Sequence, residues 1–296
     1  MTYSLDELSQ ALAQNVESAA PSIVRVEGRR RLPASGIVWS KDGLIVTANH
    51  VVKRDDHLSV GLSDGSAANA ALVGRDPGAD LALLRLEAGD LAPASWHRDD
   101  LRVGHLVLAL GRPGRTVQAS FGVISALGDG WRTASGSKVD RYLQADVVMY
   151  PGFSGGPLVN SDGKFLGLNT SALMRGASLT VPFATVERVV NTLVAHGHMR
   201  RGYLGVSTQP VRLPKSAQDE LGQETGLLVA NVEAGSPADD GGLLLGDVIV
   251  TIADSPIRHH DDLFFWLSED RVGQKTPISV LRGGELRSLN VTIGER

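Results

Sequence analysis

The sequence predicts a mainly β protein of about two domains, with a small α+β module at its C-terminal end. Three observations carry that expectation. The chain has 296 residues, which at roughly 100–200 residues per domain fits two cores. From Ile23 to about Ala172, short runs of Val, Ile and Leu alternate with glycine turns, the signature of a barrel or sandwich. After Gly202 the strand-like runs flank two helix candidates instead. Low aromatic content (5%) and 34 glycines agree with many turns and few long helices.

Residues 4–18 read as a helix. Ser4 and Glu7 have capping-box spacing, and Leu5, Leu8, Leu12 and Val16 fall on one face, suited to packing on its own domain or to an oligomer contact. Strands are expected at Ile37–Trp39, Leu44–Thr47, Leu58–Leu62, Leu81–Leu86, Leu106–Leu110 and Phe121–Ser125. Leu58, Val60 and Leu62 alternate strictly and end at Asp64-Gly65, a hairpin signal. Val186, Val189, Val190, Leu193 and Val194 keep helical spacing, with Gly197 near the end, and Arg200-Arg201-Gly202 reads as a linker. Beyond it, strand-like runs at Leu227–Val232, Val248–Ile252, Ile278–Leu281 and Leu289–Ile293 surround helix candidates at Pro237–Leu243 and Asp261–Ser268. The chain thus divides into an N-terminal helical segment (1–20), a β domain (21–199) and a C-terminal module (200–296).

Composition excludes several classes of function. The net charge of −4 is close to balance, so no nucleic-acid partner is expected. With no cysteine there is no disulfide, no cysteine-ligated metal and no thiol nucleophile. No apolar run approaches the roughly 18 residues of a transmembrane segment. No basic region followed by an apolar core opens the chain, so the sequence as written reads as cytoplasmic, or as extracytoplasmic if a leader has been removed. His196 and His198 form H-x-H and His259-His260 are adjacent, but neither has carboxylates at metal-site spacing. Arg29-Arg30-Arg31 reads as a solvated loop. No phosphate- or dinucleotide-binding fingerprint occurs, and neither a metal nor a cofactor is expected.

Three stretches carry chemistry. In Thr47-Ala48-Asn49-His50-Val51-Val52 a histidine ends a strand-like run. In Gly78-Ala79-Asp80-Leu81 an aspartate opens one, and in Gly152-Phe153-Ser154-Gly155-Gly156-Pro157 a serine sits between glycines. Each alone has an ordinary structural explanation. Together, in the order His, Asp, Ser, they form a constellation for nucleophilic catalysis. A serine hydroxyl needs a base within hydrogen-bond reach. Histidine can take and return the proton near neutral pH, and a carboxylate fixes its tautomer. The glycines let the N–H groups of Gly152 and Ser154 converge on a developing oxyanion. The same stretch satisfies G-x-S-x-G, the nucleophile elbow of α/β-hydrolases. That elbow needs a helix after the serine and its histidine downstream, whereas Pro157-Leu158-Val159-Asn160 reads as a strand and His50 lies upstream.

These motifs resemble those of the HtrA (Deg) family of trypsin-like serine proteases. The likeness runs through T-A-N-H-V-V at 47–52, G-R-D-P-G-A-D-L-A-L-L at 74–84, V-G-H-L-V-L-A-L-G at 103–111 and P-G-F-S-G-G-P-L-V-N at 151–160, and through a PDZ-like C-terminal part. It implies a chymotrypsin-like double β-barrel, two six-stranded barrels with the site in the cleft between them, followed by a PDZ domain. It implies His50 as general base, Asp80 as the acid that orients it, Ser154 as nucleophile, and the Gly152 and Ser154 amides as oxyanion hole. It also implies a homotrimer, or a multiple of trimers, that cleaves unfolded or misfolded proteins without ATP.

Departures from the family pattern are informative. Phe153 stands where the family usually has Asn and digestive relatives have Asp, so activation through an ion pair with a new N-terminus is not expected. Phe153 either locks the turn by packing or twists it into an inactive form. Tyr150 replaces a common Asn, and Asp129 falls where a sensor loop often carries Arg, with Arg132 a substitute. A trypsin-type specificity aspartate would lie six residues before the serine, at Val148. With Met149 and Asn169 completing the pocket, cleavage after small or medium aliphatic residues is expected. Tyr203-Leu204-Gly205-Val206 matches the carboxylate-binding loop of HtrA-type PDZ domains, and Leu244-Leu245-Gly246-Asp247-Val248-Ile249 is the second PDZ-like stretch, so peptide C-termini are the expected partner there. The competing expectation, raised by Phe153 and Asp129, is a silent protease fold acting as a peptide-binding or chaperone module.

Overall fold

The computed structural model describes residues 4–87, 90–97, 101–133, 137–174, 176–200, 202–267 and 271–295. They form two compact units, Met1–Met199 and Arg200–Arg296.

The first unit opens with helix α1 (Leu5–Ala19). The Ser4 hydroxyl accepts the Glu7 N–H at 3.1 Å and the Glu7 carboxylate accepts the Ser4 N–H at 2.9 Å, closing the capping box. Leu12 and Val16 pack on the barrel core, and Asn15 Nδ2 donates to the Ser161 carbonyl at 2.6 Å. The helix therefore lies against its own unit, with Leu5 left 86% exposed beyond the contact.

Six strands follow: β1 (Ile23–Glu27), β2 (Ala34–Val38), β3 (Leu44–Ala48), β4 (Leu58–Gly61), β5 (Ala67–Asp76) and β6 (Leu81–Leu86). They close into an antiparallel barrel in the order β1-β2-β3-β6-β5-β4, with β1 paired to both β2 and β4. All five β3 residues and five of the six in β6 are buried, which is why both read as unbroken apolar runs. The Asp64-Gly65 turn joins β4 to β5, the Leu62 N–H meeting the Ser66 carbonyl at 2.8 Å. Leu62 itself lies past the end of β4, half-buried against the core.

The second barrel uses β7 (Leu106–Gly111) and β8 (Gln118–Gly128), then, after a small hairpin of β9 (Trp131–Arg132) and β10 (Lys138–Val139), β11 (Tyr142–Ala145), β12 (Pro157–Asn160), β13 (Phe165–Thr170) and β14 (Leu179–Pro182). Its order is β11-β14-β13-β12-β7-β8, again closed. Strand β8 is longer than its apolar run because it serves two neighbours, β7 along its first half and β11 along its second. Helix α2 (Phe183–His196) ends at Gly197, whose φ of +76° permits the left-handed cap. Val186, Val189, Val190 and Leu193 are buried, whereas Val194, at the margin of the stripe, is 52% exposed. An aromatic seam joins the barrels to this helix: Trp96 lies 5.4 Å from Trp39, 5.7 Å from Phe165 and 5.0 Å from Phe183, between ring centroids.

The second unit comprises β15 (Gly202–Tyr203), β16 (Val206–Arg212), α3 (Lys215–Leu221), β17 (Thr225–Val232), α4 (Pro237–Asp240), β18 (Val248–Ile252), β19 (Ser255–Pro256), α5 (His260–Trp266), β20 (Lys275–Arg282), β21 (Glu285–Thr292) and β22 (Gly294–Glu295). The sheet runs β16-β17-β18-β20-β21, with β19 on β18, and β15 pairs with β22. Leu227, Val229, Ile249, Ile252, Ile278, Val280 and Val291 form the core with Leu263 and Trp266 of α5. The expected helix over Pro237–Leu243 is shorter, because Gly241-Gly242 ends it and Gly242 takes φ +79°. Helix α3 is short and buries only Ala217, so it left no periodic apolar signal. Arg201 and Ser268, from the expected linker and last helix, lie outside the described residues. Among the described residues no helix is long and apolar enough to cross a membrane.

Candidate active site

The site is assembled from the ends of strands in both barrels of the first unit. β3 runs directly into a 3₁₀ turn, Asn49–Val51, which carries His50. Asp80 precedes β6 in the left-handed region, φ +56°, a conformation Asp tolerates better than most residues. That backbone twist lets one residue grip the histidine twice. The Asp80 carbonyl accepts the Asn49 N–H at 3.0 Å, and Asp80 Oδ1 accepts the His50 N–H at 2.8 Å. Asp80 Oδ2 lies 2.7 Å from His50 Nδ1 and accepts the Thr170 hydroxyl at 2.5 Å. The carboxylate is only 3% exposed and the imidazole 24%. A carboxylate can only accept, so the ring proton sits on Nδ1 and Nε2 keeps its lone pair for a substrate proton. Thr170, at the end of β13, is the partner that the sequence reading missed. It lies in an ordinary strand run, and only the packing of the second barrel against the first brings it to Asp80.

Ser154 is half-buried in the loop before β12. Its hydroxyl lies 3.3 Å from Ser171 Oγ and makes no hydrogen bond to His50. Before it, Tyr150–Phe153 forms a turn in which the Phe153 N–H donates to the Tyr150 carbonyl at 3.0 Å. Pro151 and Gly152 occupy its two central places and Gly152 has φ +92°, the residues and angle of a type II turn. A Cβ on Gly152 would fall 2.5 Å from Pro113 Cβ, so only glycine fits. Among the described residues, the N–H groups of Gly152 and Ser154 find no protein acceptor.

Phe153 resolves the alternative left open by the sequence. Its side chain is fully buried in the second-barrel core with Ile124, Leu143 and Leu158, and meets the Tyr150 ring edge-on at 5.4 Å. It packs the turn in place. Of the expected specificity residues, Val148 is 55% exposed and Met149 packs partly against the same core. Asn169 is different. It is 1% exposed, and its amide is used by the Pro157 carbonyl at 2.7 Å and the Thr180 hydroxyl at 2.9 Å. Its backbone also pairs with Gly155 and Gly156, so it braces the serine loop and leaves no polar group open to a side-chain pocket.

In the second unit, Tyr203 ends β15 and Val206 begins β16, with Leu204 and Gly205 between them. The carbonyls of Leu204 and Gly205 accept the N–H groups of Ala238 and Glu233, each at 2.8 Å. Their own N–H groups have no protein acceptor among the described residues. Gly205 has φ +81°, and a Cβ there would lie 2.2 Å from Ser236 Cβ. Asp247, in the second PDZ-like stretch, is 1% exposed and takes Arg282 Nε at 2.7 Å, Arg282 Nη2 at 2.8 Å and the Leu244 N–H at 2.8 Å. Burial pushes its carboxyl upward, but these partners outweigh it and hold the group below the ordinary carboxylate value. Elsewhere, His260 Nε2 lies 3.0 Å from the Thr208 carbonyl, and the Asp262 carboxylate accepts the N–H of His259 at 3.2 Å. Among the described residues no cluster of three or more His, Asp or Glu could hold a metal ion.

Residues 34–168 match the trypsin-like peptidase domain and residues 202–293 the PDZ domain. A probable periplasmic serine endoprotease, DegP-like, from Ectopseudomonas mendocina is 36% identical over 301 aligned positions, covering 98% of this chain and 63% of that protein. A protein of the same name from Pseudomonas fulva is 38% identical, covering 88% of this chain and 55% of its own length. The chain thus spans a little over half the length of these curated relatives. Among solved structures, the HtrA-type protease AlgW with a decapeptide shares 30% identity at a TM-score of 0.76, covering 96% of this chain and 98% of that one. A serine endoprotease from Yersinia pestis shares 29% identity at 0.77, covering 100% and 99%.

Proposed function

Since the chain belongs to the HtrA family of serine proteases, with one trypsin-like peptidase domain and one PDZ domain, we propose that it hydrolyses peptide bonds through His50, Asp80 and Ser154. The observation that carries this reading is the Asp80 carboxylate, sealed from water and aimed at His50 Nδ1 at 2.7 Å. Nε2 acts as general base toward Ser154, whose alkoxide attacks the scissile carbonyl. The N–H groups of Gly152 and Ser154 receive the oxyanion, and the imidazolium returns its proton to the leaving amine as the C–N bond breaks; a water deprotonated by Nε2 then attacks the acyl group, and Ser154 leaves with the proton restored. Rotation of the Ser154 hydroxyl from Ser171 to His50 on substrate binding completes the relay; such hydrogen bonds are often loose without substrate.

The finer reading follows the same premise. Residues 21–199 make the protease domain and 200–296 the PDZ domain, behind a helical segment at 1–20. Substrates are unfolded or misfolded proteins, cut without ATP after small or medium aliphatic residues. Val148 and Met149 support an apolar pocket, since no carboxylate stands at 148 to meet a basic side chain. The free N–H groups of Leu204 and Gly205 support capture of a peptide C-terminus by the second unit. We take the protein to be a homotrimer working in quality control outside the cytoplasm. The curated relatives are named periplasmic, and the cytoplasmic alternative draws no support from them.

A fluorophosphonate probe tests the core of the proposal. Labelling and casein digestion are expected in the wild-type chain and absent in Ser154→Ala. The rival reading, a silent peptide-binding module, is favoured by the Ser154 hydroxyl facing Ser171, and it predicts no labelling in either. A native mass equal to one chain would refute the trimer.

A further inference from the structure

Ser35 lies outside every motif named above, yet it touches the serine loop at two points. It sits on β2 of the first barrel and is 0% exposed. Its hydroxyl donates to the Gly152 carbonyl at 2.7 Å and accepts the Arg112 N–H at 2.8 Å. Since a hydroxyl has one proton and Arg112 N–H can only donate, the proton of Ser35 is directed to Gly152. The Ser35 N–H also donates to the Ser154 carbonyl at 3.1 Å, and the Ser35 carbonyl accepts the Thr47 hydroxyl at 2.7 Å. The fit is tight: a Cβ on Gly155 would fall 2.0 Å from the Ser35 carbonyl oxygen.

These contacts matter because the turn has two settings. A turn closed from Tyr150 to Phe153 can be type I or type II, and the two differ by a flip of the Pro151–Gly152 peptide plane. The observed type II setting directs the Gly152 N–H away from the side on which the Pro151 carbonyl lies. In the flipped setting the carbonyl takes the place of the N–H, and an oxyanion would meet an oxygen instead of a donor. The flip is cheap only if the neighbouring planes can adjust with it. Here the Gly152–Phe153 plane is held at both faces, its carbonyl by Ser35 and its N–H by Tyr150. The Phe153 side chain, 0% exposed in the second-barrel core, pins the residue that follows.

We propose that Ser35 is a positioning residue, whose buried hydroxyl, shared between the Arg112 N–H and the Gly152 carbonyl, holds the Pro151–Gly152 turn in its anion-binding setting across the two barrels, with Phe153 as the pin beneath it. This rests on the reading of Ser154 as nucleophile.

The test uses the full chain, wild type and Ser35→Ala, with an aliphatic chromogenic peptide and a peptide boronic acid whose boronate oxygen fills the oxyanion site. Loss of a direct oxyanion donor costs about 10²–10³ in rate, so loss of the group that orients one is expected to lower kcat about 10- to 100-fold. KM should stay within about twofold, and boronate affinity should fall in step with kcat. A merely structural serine would instead move KM, kcat and the melting temperature together, which would overturn the proposal. So would a Ser35→Ala variant that keeps both kcat and boronate affinity. Ser35→Cys, which keeps a weaker donor in a chain with no other cysteine, should fall between the two and serves if Ser35→Ala does not fold. Equal fluorophosphonate labelling of wild type and Ser35→Ala sinks the role of Ser35 alone. No labelling of the wild type sinks the reading of Ser154, and this proposal with it.

Discussion

Replacing Asp80 by Asn is the sharpest single perturbation of the proposed mechanism, because the outcome follows from counting donors. Three converge on the carboxylate: the His50 N–H on Oδ1 at 2.8 Å, and the His50 ring and the Thr170 hydroxyl on Oδ2 at 2.7 and 2.5 Å. An amide has one acceptor end and one donor end. The backbone N–H of His50 cannot change its role, so the amide oxygen takes the Oδ1 place and the NH₂ faces the ring. Nδ1 must then accept, which moves the ring proton to Nε2 and removes the base from Ser154. Side-chain volume is unchanged, so the barrel should survive. The expected loss is about 10⁴ in kcat, or about 5.4 kcal/mol at 1.36 kcal/mol per decade. The assay is kcat on an aliphatic peptide, with fluorophosphonate labelling and a thermal melt beside it. A loss smaller than about tenfold with an unchanged melt would refute the assignment of the tautomer to Asp80.

Three further outcomes can be checked. Val148→Asp should raise kcat/KM for peptides with Lys or Arg before the scissile bond by about tenfold relative to aliphatic ones, since Val148 is 55% exposed and an ion can be solvated there; an unchanged peptide-library profile would count against its place in the pocket. Gly205→Ala should abolish capture of a free peptide C-terminus, measured by fluorescence anisotropy against the amidated twin, because φ +81° and a Cβ 2.2 Å from Ser236 both oppose alanine. Asp247 has a folded pKa held below its ordinary value of 3.8, so the stability it lends is complete above that value and disappears as pH falls through the folded one. Asp247→Asn should therefore weaken the second unit near neutral pH and flatten its acid unfolding below the ordinary carboxylate value; an unchanged acid transition would argue against the ion pair with Arg282 as its cause.

The parts of this protein that could be read in advance are those whose cause is local. The capping box at Ser4, the buried runs of β3 and β6 and the Asp64-Gly65 turn each follow from a few neighbouring residues. The meeting of His50 with Asp80 was legible because their flanking residues form long patterns; Ser154 was read from a pattern of the same kind, and its hydroxyl faces Ser171. The parts that stayed hidden depend on contacts across the fold. Thr170 and Ser35 sit 90 and 119 positions from Asp80 and Ser154, in unremarked strand residues, and only the packing of one barrel on the other joins them. Asn169 was read as a pocket residue, and nothing local in the sequence shows that Pro157 and Thr180 occupy its amide. Phe153 left two outcomes open until the second-barrel core showed a place for its ring.

The tryptophans, finally, are distributed so that the two units differ in optical character. Trp39 and Trp96 lie with ring centroids 5.4 Å apart in the seam between the barrels, near enough for their transitions to couple and give a near-ultraviolet circular dichroism band that reports barrel docking. Trp266 is the one tryptophan in the sequence from 200 to 296, and the Arg271 guanidinium lies 3.7 Å from its ring centre. A cation held against an indole alters its emission, and melting α5 would release it. Unfolding of the second unit should thus appear as a fluorescence change while the dichroism of the barrels persists, with no label added to the chain.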